Sequence, residues 1–168
     1  SDAKGLDPRP PSWSRTELAE LMLPHQANVL GKVFGGTILA MIDKGAATAA
    51  IRHAGHVCVT AQVDQITFQG PIEIGEVIRV VSLVTAVGRT SLEVEVEVFA
   101  LDALSGKERL TNTCFVTMVA VGEDGRPTPV PPLELTNEEQ RVRNAAALAR
   151  MAERRQRRSG SRGSARRA

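Results

Sequence analysis

MLPHQANVLGKVFGGTILAMIDKG, residues 22–45, decides how the rest of the chain is arranged. Its strand-like lead-in (RTELAELML, 15–23, whose spacing also suits a helical turn) must stop at Pro24, which has no N–H to donate to a ladder and holds the residue before it away from helical geometry. A polar loop runs to residue 34, and the pair Gly35-Gly36 then opens a helix to about Ala54. That helix is apolar nearly all round, so most of its sides are expected to be buried, and its many alanines let it lie close against a sheet. One carboxylate, Asp43, interrupts it. Aspartate gains nothing from helix propensity in mid-helix, and burying it unpaired is costly. Two readings stand: an acid paired with Lys44, Arg52 or a partner chain, or a catalytic base.

Downstream of this helix the chain turns to strands. VCVTAQVDQITF (57–68) is β-branched and ends at Gln69-Gly70-Pro71; VIRVVSLVTAV (77–87) follows and turns at Gly88-Arg89-Thr90. In LEVEVEVF (92–99) the alternation is strict, which predicts Leu92, Val94, Val96 and Val98 on a buried face and Glu93, Glu95 and Glu97 toward solvent. RLTNTCFVTMVAV (109–121) is the next strand, and Glu123-Asp124-Gly125 with four prolines ends the sheet. Thr136 with Glu139 reads as a capping box opening a last helix, Ala- and Arg-rich, to about Arg158. Its narrow apolar stripe suits packing at the surface or against a partner subunit. One helix followed by consecutive strands is an α+β order, with an antiparallel sheet wrapped around the helix.

At 168 residues the chain can bury a core as one domain, and 42% hydrophobic with 24% charged residues is globular composition. No apolar run approaches the ~18 residues that cross a bilayer. Cys58 and Cys114 sit in strand-like sequence outside any CxxC or CxxH spacing, and are expected to be buried free thiols of a cytoplasmic protein. The net charge of +2 conceals an asymmetry: residues 1–149 carry 13 Lys/Arg and 18 Asp/Glu, while residues 150–168 carry eight arginines and one acid. The basic end is expected to be a solvated tail; it lacks the aromatics on which nucleobases stack, so no nucleic-acid partner is expected.

Nucleotide-loop patterns are absent: GKVFGG lacks the GxxxxGK[ST] order. His25, His53 and His56 form no convincing ligand set with Cys58, so no metal is expected, and no GxSxG elbow is present. Phe34-Gly35-Gly36 is more informative. Glycines at a helix start allow close approach to backbone N–H groups that have no intrahelical acceptor and carry the positive dipole end, which is the make-up of an oxyanion hole; alone, the pair also suits a tight turn. Gly36 and Asp43 are seven residues apart, so they share a helix face but lie roughly 10 Å apart along the axis. That is too far for both to act on one carbonyl. Two such helices antiparallel across a two-fold axis bring one chain's helix start to the other's Asp43, making a composite site.

These residues resemble the hotdog-fold acyl-CoA thioesterases, in particular the cytosolic acyl-CoA thioester hydrolases. The similar stretches are MLPHQANVLGKVFGGTILAMID (22–43), VTAQVDQITFQGPI (59–72), VGRTSLEVEVEV (87–98) and FVTMVAVGEDGRPTPVP (115–131), in order over about 15–132. The resemblance implies a long central helix wrapped by an antiparallel sheet, a C-terminal helix, a homodimer with interfacial sites commonly assembled as a trimer of dimers, and hydrolysis of acyl-CoA to fatty acid and CoA. It also implies that Asn28 of the loop and Asp43, from opposite subunits, form the site. Asp43 is then a general base on water or a direct nucleophile, Asn28 orients the water or the carbonyl, and Gly35 and Gly36 polarise the thioester. Phe68, Met41 and Ile66 are candidates for an acyl tunnel between helix and sheet. Arg89, Thr90 and Ser91 are candidates for CoA, with Lys32 and Arg126 behind them. No cofactor is expected, since coenzyme A is part of substrate and product, and no membrane partner. A non-catalytic acyl-CoA-binding module is the alternative. The expected organisation is a disordered lead (1–14), the hotdog domain (15–132), a C-terminal helix (133–158) and a basic disordered tail (159–168).

Overall fold

A computed structural model describes residues 6–64 and 66–165. The elements in order are α1 (Pro11–Ser14), β1 (Thr16–Leu21), a 3-10 turn (Pro24–Gln26), α2 (Gly35–Ala54), β2 (Val57–Val63), β3 (Val77–Val87), β4 (Ser91–Leu101), β5 (Glu108–Val121) and α3 (Glu138–Ala165). The strands form one antiparallel sheet in the order β1-β3-β4-β5-β2, curled around α2.

The alternation in β4 sets this packing. Leu92, Val94, Val96, Val98 and Ala100 are fully buried beside Ile78, Val80 and Val84 of β3 and Cys114, Val116, Met118 and Ala120 of β5. The facing side of α2 supplies Ile38, Met41, Ile42, Ala46, Ala49 and Ala50. Gly45 marks the closest approach, because a Cβ there would lie 2.6 Å from Ser82 Oγ and 3.2 Å from Val80 Cγ1. Gly45→Ala is therefore expected to cost about 1–3 kcal/mol through overpacking, read from the urea midpoint. Contrary to expectation, α2 is not buried all round. The sheet covers one side only, leaving Leu39, Ala40, Asp43, Lys44 and Ile51 exposed.

α2 ends at Gly55, in the left-handed region at φ 69°. Its last carbonyls organise the N-terminal segment. Arg9 Nη1 donates to the carbonyls of His53 (2.6 Å) and Arg52 (3.2 Å), Trp13 Nε1 donates to Arg52 O (2.9 Å), and Arg9 stacks on the Trp13 ring. The disordered lead expected over 1–14 is thus corrected for residues 6–14; residues 1–5 lie outside the described residues. Buried His53 donates from Nε2 to Pro131 O (2.8 Å), leaving Nδ1 without a partner. Burial lowers its pKa from the usual 6.5, outweighing the Pro131 contact that raises it, and nearby Arg9 lowers it further. Below 6.5 the unfolded chain takes up a proton that folded His53 resists, so stability falls with pH from there down toward the folded pKa. The urea midpoint should fall between about pH 7.5 and about pH 5.5, and His53→Gln should flatten that slope.

Four further expectations are corrected. The strand expected over 57–68 stops at Val63, where Asp64 is drawn to an arginine of α3. The glutamates of β4 do not all face solvent: Glu93 is 0% exposed because α3 lies on that side of the sheet, with Ala147 and Met151 packed on Ala86 and Asn144 Nδ2 donating to Thr85 O (2.9 Å). The start of α3 is capped one residue later than Thr136. Asn137 Oδ1 accepts from Gln140 N (2.9 Å) and Gln140 Oε1 accepts from Thr136 N (2.7 Å), while Glu139 pairs with Arg143. Asn137 is itself a good capping residue and takes the N-cap position, while Gln140 reaches back past it to Thr136. α3 also continues past Arg158 to Ala165, so the tail expected to be disordered from residue 159 is helical that far; residues 166–168 lie outside the described residues.

Candidate active site

The loop before α2 is built by Asn28. Its Oδ1 accepts from the backbone N–H groups of Leu30 (2.9 Å) and Lys32 (3.1 Å), and its own N–H donates to Lys32 O (2.7 Å). Gly31 completes the turn at φ 75°. With the oxygen committed to two donors, the amide orientation is fixed and Nδ2 is the group Asn28 can offer to a ligand. Asn28 is therefore equipped to donate to a carbonyl and not to accept from a water. Phe34 N then donates to Gln26 O (2.8 Å), pinning the chain where it enters α2.

Phe34 is the N-cap of α2 and provides no side-chain cap. The first-turn amides of Gly35 and Gly36 point out of the helix start without an intrahelical acceptor. Their surroundings are aromatic: a Cβ on Gly36 would overlap the Phe34 ring, and one on Gly35 would lie 3.7 Å from the Phe68 ring. Apolar walls around uncapped amides strengthen their pull on a developing negative charge. Phe68, expected in an acyl tunnel, thus stands at the helix start. Met41 is packed in the main core and Ile66 against it, so the helix–sheet seam is filled there.

Asp43 lies two turns further along the exposed side of α2. No salt bridge holds it among the described residues, which removes pairing with Lys44 or Arg52 within the chain; Arg52 instead donates to Arg15 O and Thr16 Oγ1. Its partner is Thr60 of β2, whose hydroxyl donates to Asp43 Oδ1 at 2.5 Å. Thr60 went unnoticed in the sequence, because a threonine in VCVTAQV is ordinary strand composition and only the β2–α2 packing gives it a role. The hydroxyl fixes one carboxylate oxygen and leaves the other open.

Asn28, Lys32, Gly35, Gly36 and Phe68 surround one end of α2, whereas Asp43 and Thr60 sit about 10 Å away along its axis. Lys32 is engaged by Glu73 through both carboxylate oxygens (2.8 Å each). Arg89, Thr90 and Ser91 form the β3–β4 turn, held by Val130 N to Arg89 O (3.0 Å) and Ala120 N to Thr90 O (2.9 Å), beside Met151 and Arg155 of α3. Cys58 and Cys114 are free and buried, and burial pushes each thiol up to about 11, with Asp64 adding to the rise at Cys114. Neither is primed as a nucleophile. β2 pairs with β5 on one side and with no other strand among the described residues, and its Val57, Val59 and Val63 are exposed. An open apolar edge next to Asp43 is a surface suited to another copy.

Known proteins resemble this arrangement. The thioesterase superfamily model matches residues 30–106. The Bacillus subtilis acyl-CoA thioester hydrolase YkhA, itself uncharacterised, is 34% identical over 140 residues, covering 83% of this chain and 81% of that protein. An apo-hexameric acyl-CoA thioesterase superposes with a TM-score of 0.85 at 41% identity, over 90% of this chain and 97% of the other. A Staphylococcus aureus acyl-CoA hydrolase in complex with butyryl coenzyme A, coenzyme A and coenzyme A disulfide gives a TM-score of 0.84 at 31% identity, over 93% and 95%. Variants of that enzyme with alanine replacing an asparagine, an aspartate and a threonine are further structural neighbours. The chain therefore belongs to the hotdog thioesterase superfamily, in its acyl-CoA thioester hydrolase family.

Proposed function

We propose that the protein hydrolyses acyl-CoA thioesters to free fatty acid and CoA at a site shared by two subunits. The observation that carries this reading is Asp43, exposed on α2, paired with no cation among the described residues and gripped at one oxygen by Thr60. Asp43 of one subunit takes a proton from water as the water oxygen attacks the thioester carbonyl carbon. The N–H groups of Gly35 and Gly36 and the Nδ2 of Asn28, from the other subunit, receive the developing oxyanion. Collapse of the tetrahedral intermediate breaks the C–S bond and expels CoA thiolate, which recovers the proton from Asp43. A thiolate leaves readily, so no strong acid is required.

The composite arrangement is supported by the spacing along α2 and by the open β2 edge, through which two copies can extend one sheet. A trimer of such dimers fits the hexameric state of the structural neighbour. Phe68 lines the acyl side, Arg89, Thr90 and Ser91 contact the CoA phosphates, and Lys32 contributes as far as its Glu73 pairing allows. The variant structures of the Staphylococcus aureus enzyme alter the same three residue types found here as Asn28, Asp43 and Thr60. No cofactor besides the substrate's own CoA is needed, and buried reduced thiols suit the cytoplasm. The test is thiol release from acyl-CoAs of increasing chain length. Turnover on at least one is expected; binding without turnover on all of them would replace this reading by a non-catalytic acyl-CoA-binding module.

A further inference from the structure

On the outer side of the sheet, α3 and the end of β2 flank an open groove of about 400 Å³ lined by Gln62, Arg154, Arg157, Arg158, Ser161 and Arg162. Four arginines line it, and no carboxylate among the described residues does. Arg154, Arg158 and Arg162 are spaced at i, i+4 and i+8, so like charges stack along one helix face, an arrangement unfavourable in itself. The nearby acids are already committed. Glu93 accepts from Arg150 Nη2 (2.8 Å) and Arg154 Nη2 (2.9 Å), and Asp64 accepts from Arg154 Nη2 (2.6 Å) and Nε (3.2 Å). Arg154 Nη1 is buried and has no partner. Arg154 and Arg158 also line a smaller adjoining cavity that reaches Ser91.

We propose that this arginine groove binds a phosphate-bearing anion, of the size of a diphosphate. Guanidinium forks match phosphate oxygens two at a time, and several phosphate oxygens would neutralise Arg158 and Arg162, which pair with no acid among the described residues, whereas Arg154 is held by Asp64 and Glu93 and Arg157 only loosely by Glu153 at 4.0 Å. No aromatic ring among the described residues lines the groove, so the ligand is held by its phosphates and not by stacking of a base. Glu93 and α3 lie on one side of the sheet and α2 with Asp43 on the other, so the bound anion is separated from the chain's own reacting groups by the sheet. The phosphates have two possible sources, the CoA of a neighbouring subunit's site or a separate phosphate compound.

Calorimetry with pyrophosphate on the full chain tests this directly and does not depend on thioester turnover. Pyrophosphate should bind the wild type in the presence of equal-ionic-strength sulfate. Arg158→Gln/Arg162→Gln should weaken it about tenfold or more, and Lys107→Gln/Arg141→Gln, which removes the same charge elsewhere, should change it by less than about twofold. Circular dichroism checks that both variants are folded. Displacement of pyrophosphate by CoA would identify CoA phosphates as the ligand and simultaneous binding a separate compound; either supports the site. Absence of binding, or equal weakening in both double variants, would overturn it.

Discussion

Asp43→Asn should lower acyl-CoA turnover by about 10²- to 10⁴-fold, the usual contribution of a positioned general base, while leaving the KM for acyl-CoA nearly unchanged. Asparagine keeps the shape of the side chain and can still accept from Thr60 through its carbonyl oxygen, so the fold and the Thr60 contact survive. What disappears is the ability to take the proton of the attacking water. Thr60→Val should lower turnover by a smaller factor, since the carboxylate remains and loses only the donor that fixes it at 2.5 Å. Steady-state thiol release resolves both effects, and a larger loss in Thr60→Val than in Asp43→Asn would argue that Thr60, not Asp43, carries the chemistry.

Glu93→Ala should be the most damaging stability change, at about 3–5 kcal/mol, because it removes the shared partner of two arginines beneath α3. Glu93 is 0% exposed and accepts from Thr85, Arg150 and Arg154, and Arg150 also stacks on the Phe115 ring 3.6 Å away. Truncation leaves those guanidinium groups against the sheet with too few acceptors. Glu97→Ala, four residues along β4 on the same face, should stay within about 1 kcal/mol, as surface acids usually do. Urea denaturation of the two variants separates a structural clamp from a general effect of removing acid from β4.

These two residues also mark where the sequence was legible and where it was not. The buried face of β4 follows from period-two alternation alone, and α2 is readable from its small apolar residues and the glycine pair at its start. Alternation cannot say what covers the opposite face. Glu93 was read as solvated because α3 arrives from more than forty residues away. The available signal was complementarity, acids on one strand face and Arg150 and Arg154 on a helix with little apolar surface of its own. Arg9 and Trp13 were hidden for a similar reason, since a proline-rich lead gives no hint that α2's terminal carbonyls will hold it. Asp43 was visible as an acid on an apolar helix, and Gly35-Gly36 as an open helix start. Thr60 was not, because its function depends on the β2–α2 packing, and the donor role of Asn28 emerges only once its oxygen is seen to be spent on Leu30 and Lys32.

The shared site is tested most directly by subunit mixing. Asp43→Asn and Asn28→Ala chains, each nearly inactive alone, are unfolded together in equal amounts and refolded, and thiol release is compared with the wild type. A mixed dimer has one site with both substitutions and one with neither, and half the dimers are mixed, so about a quarter of wild-type activity should return. Activity no greater than the sum of the separate variants would place Asn28 and Asp43 of the same chain in one site and contradict the account.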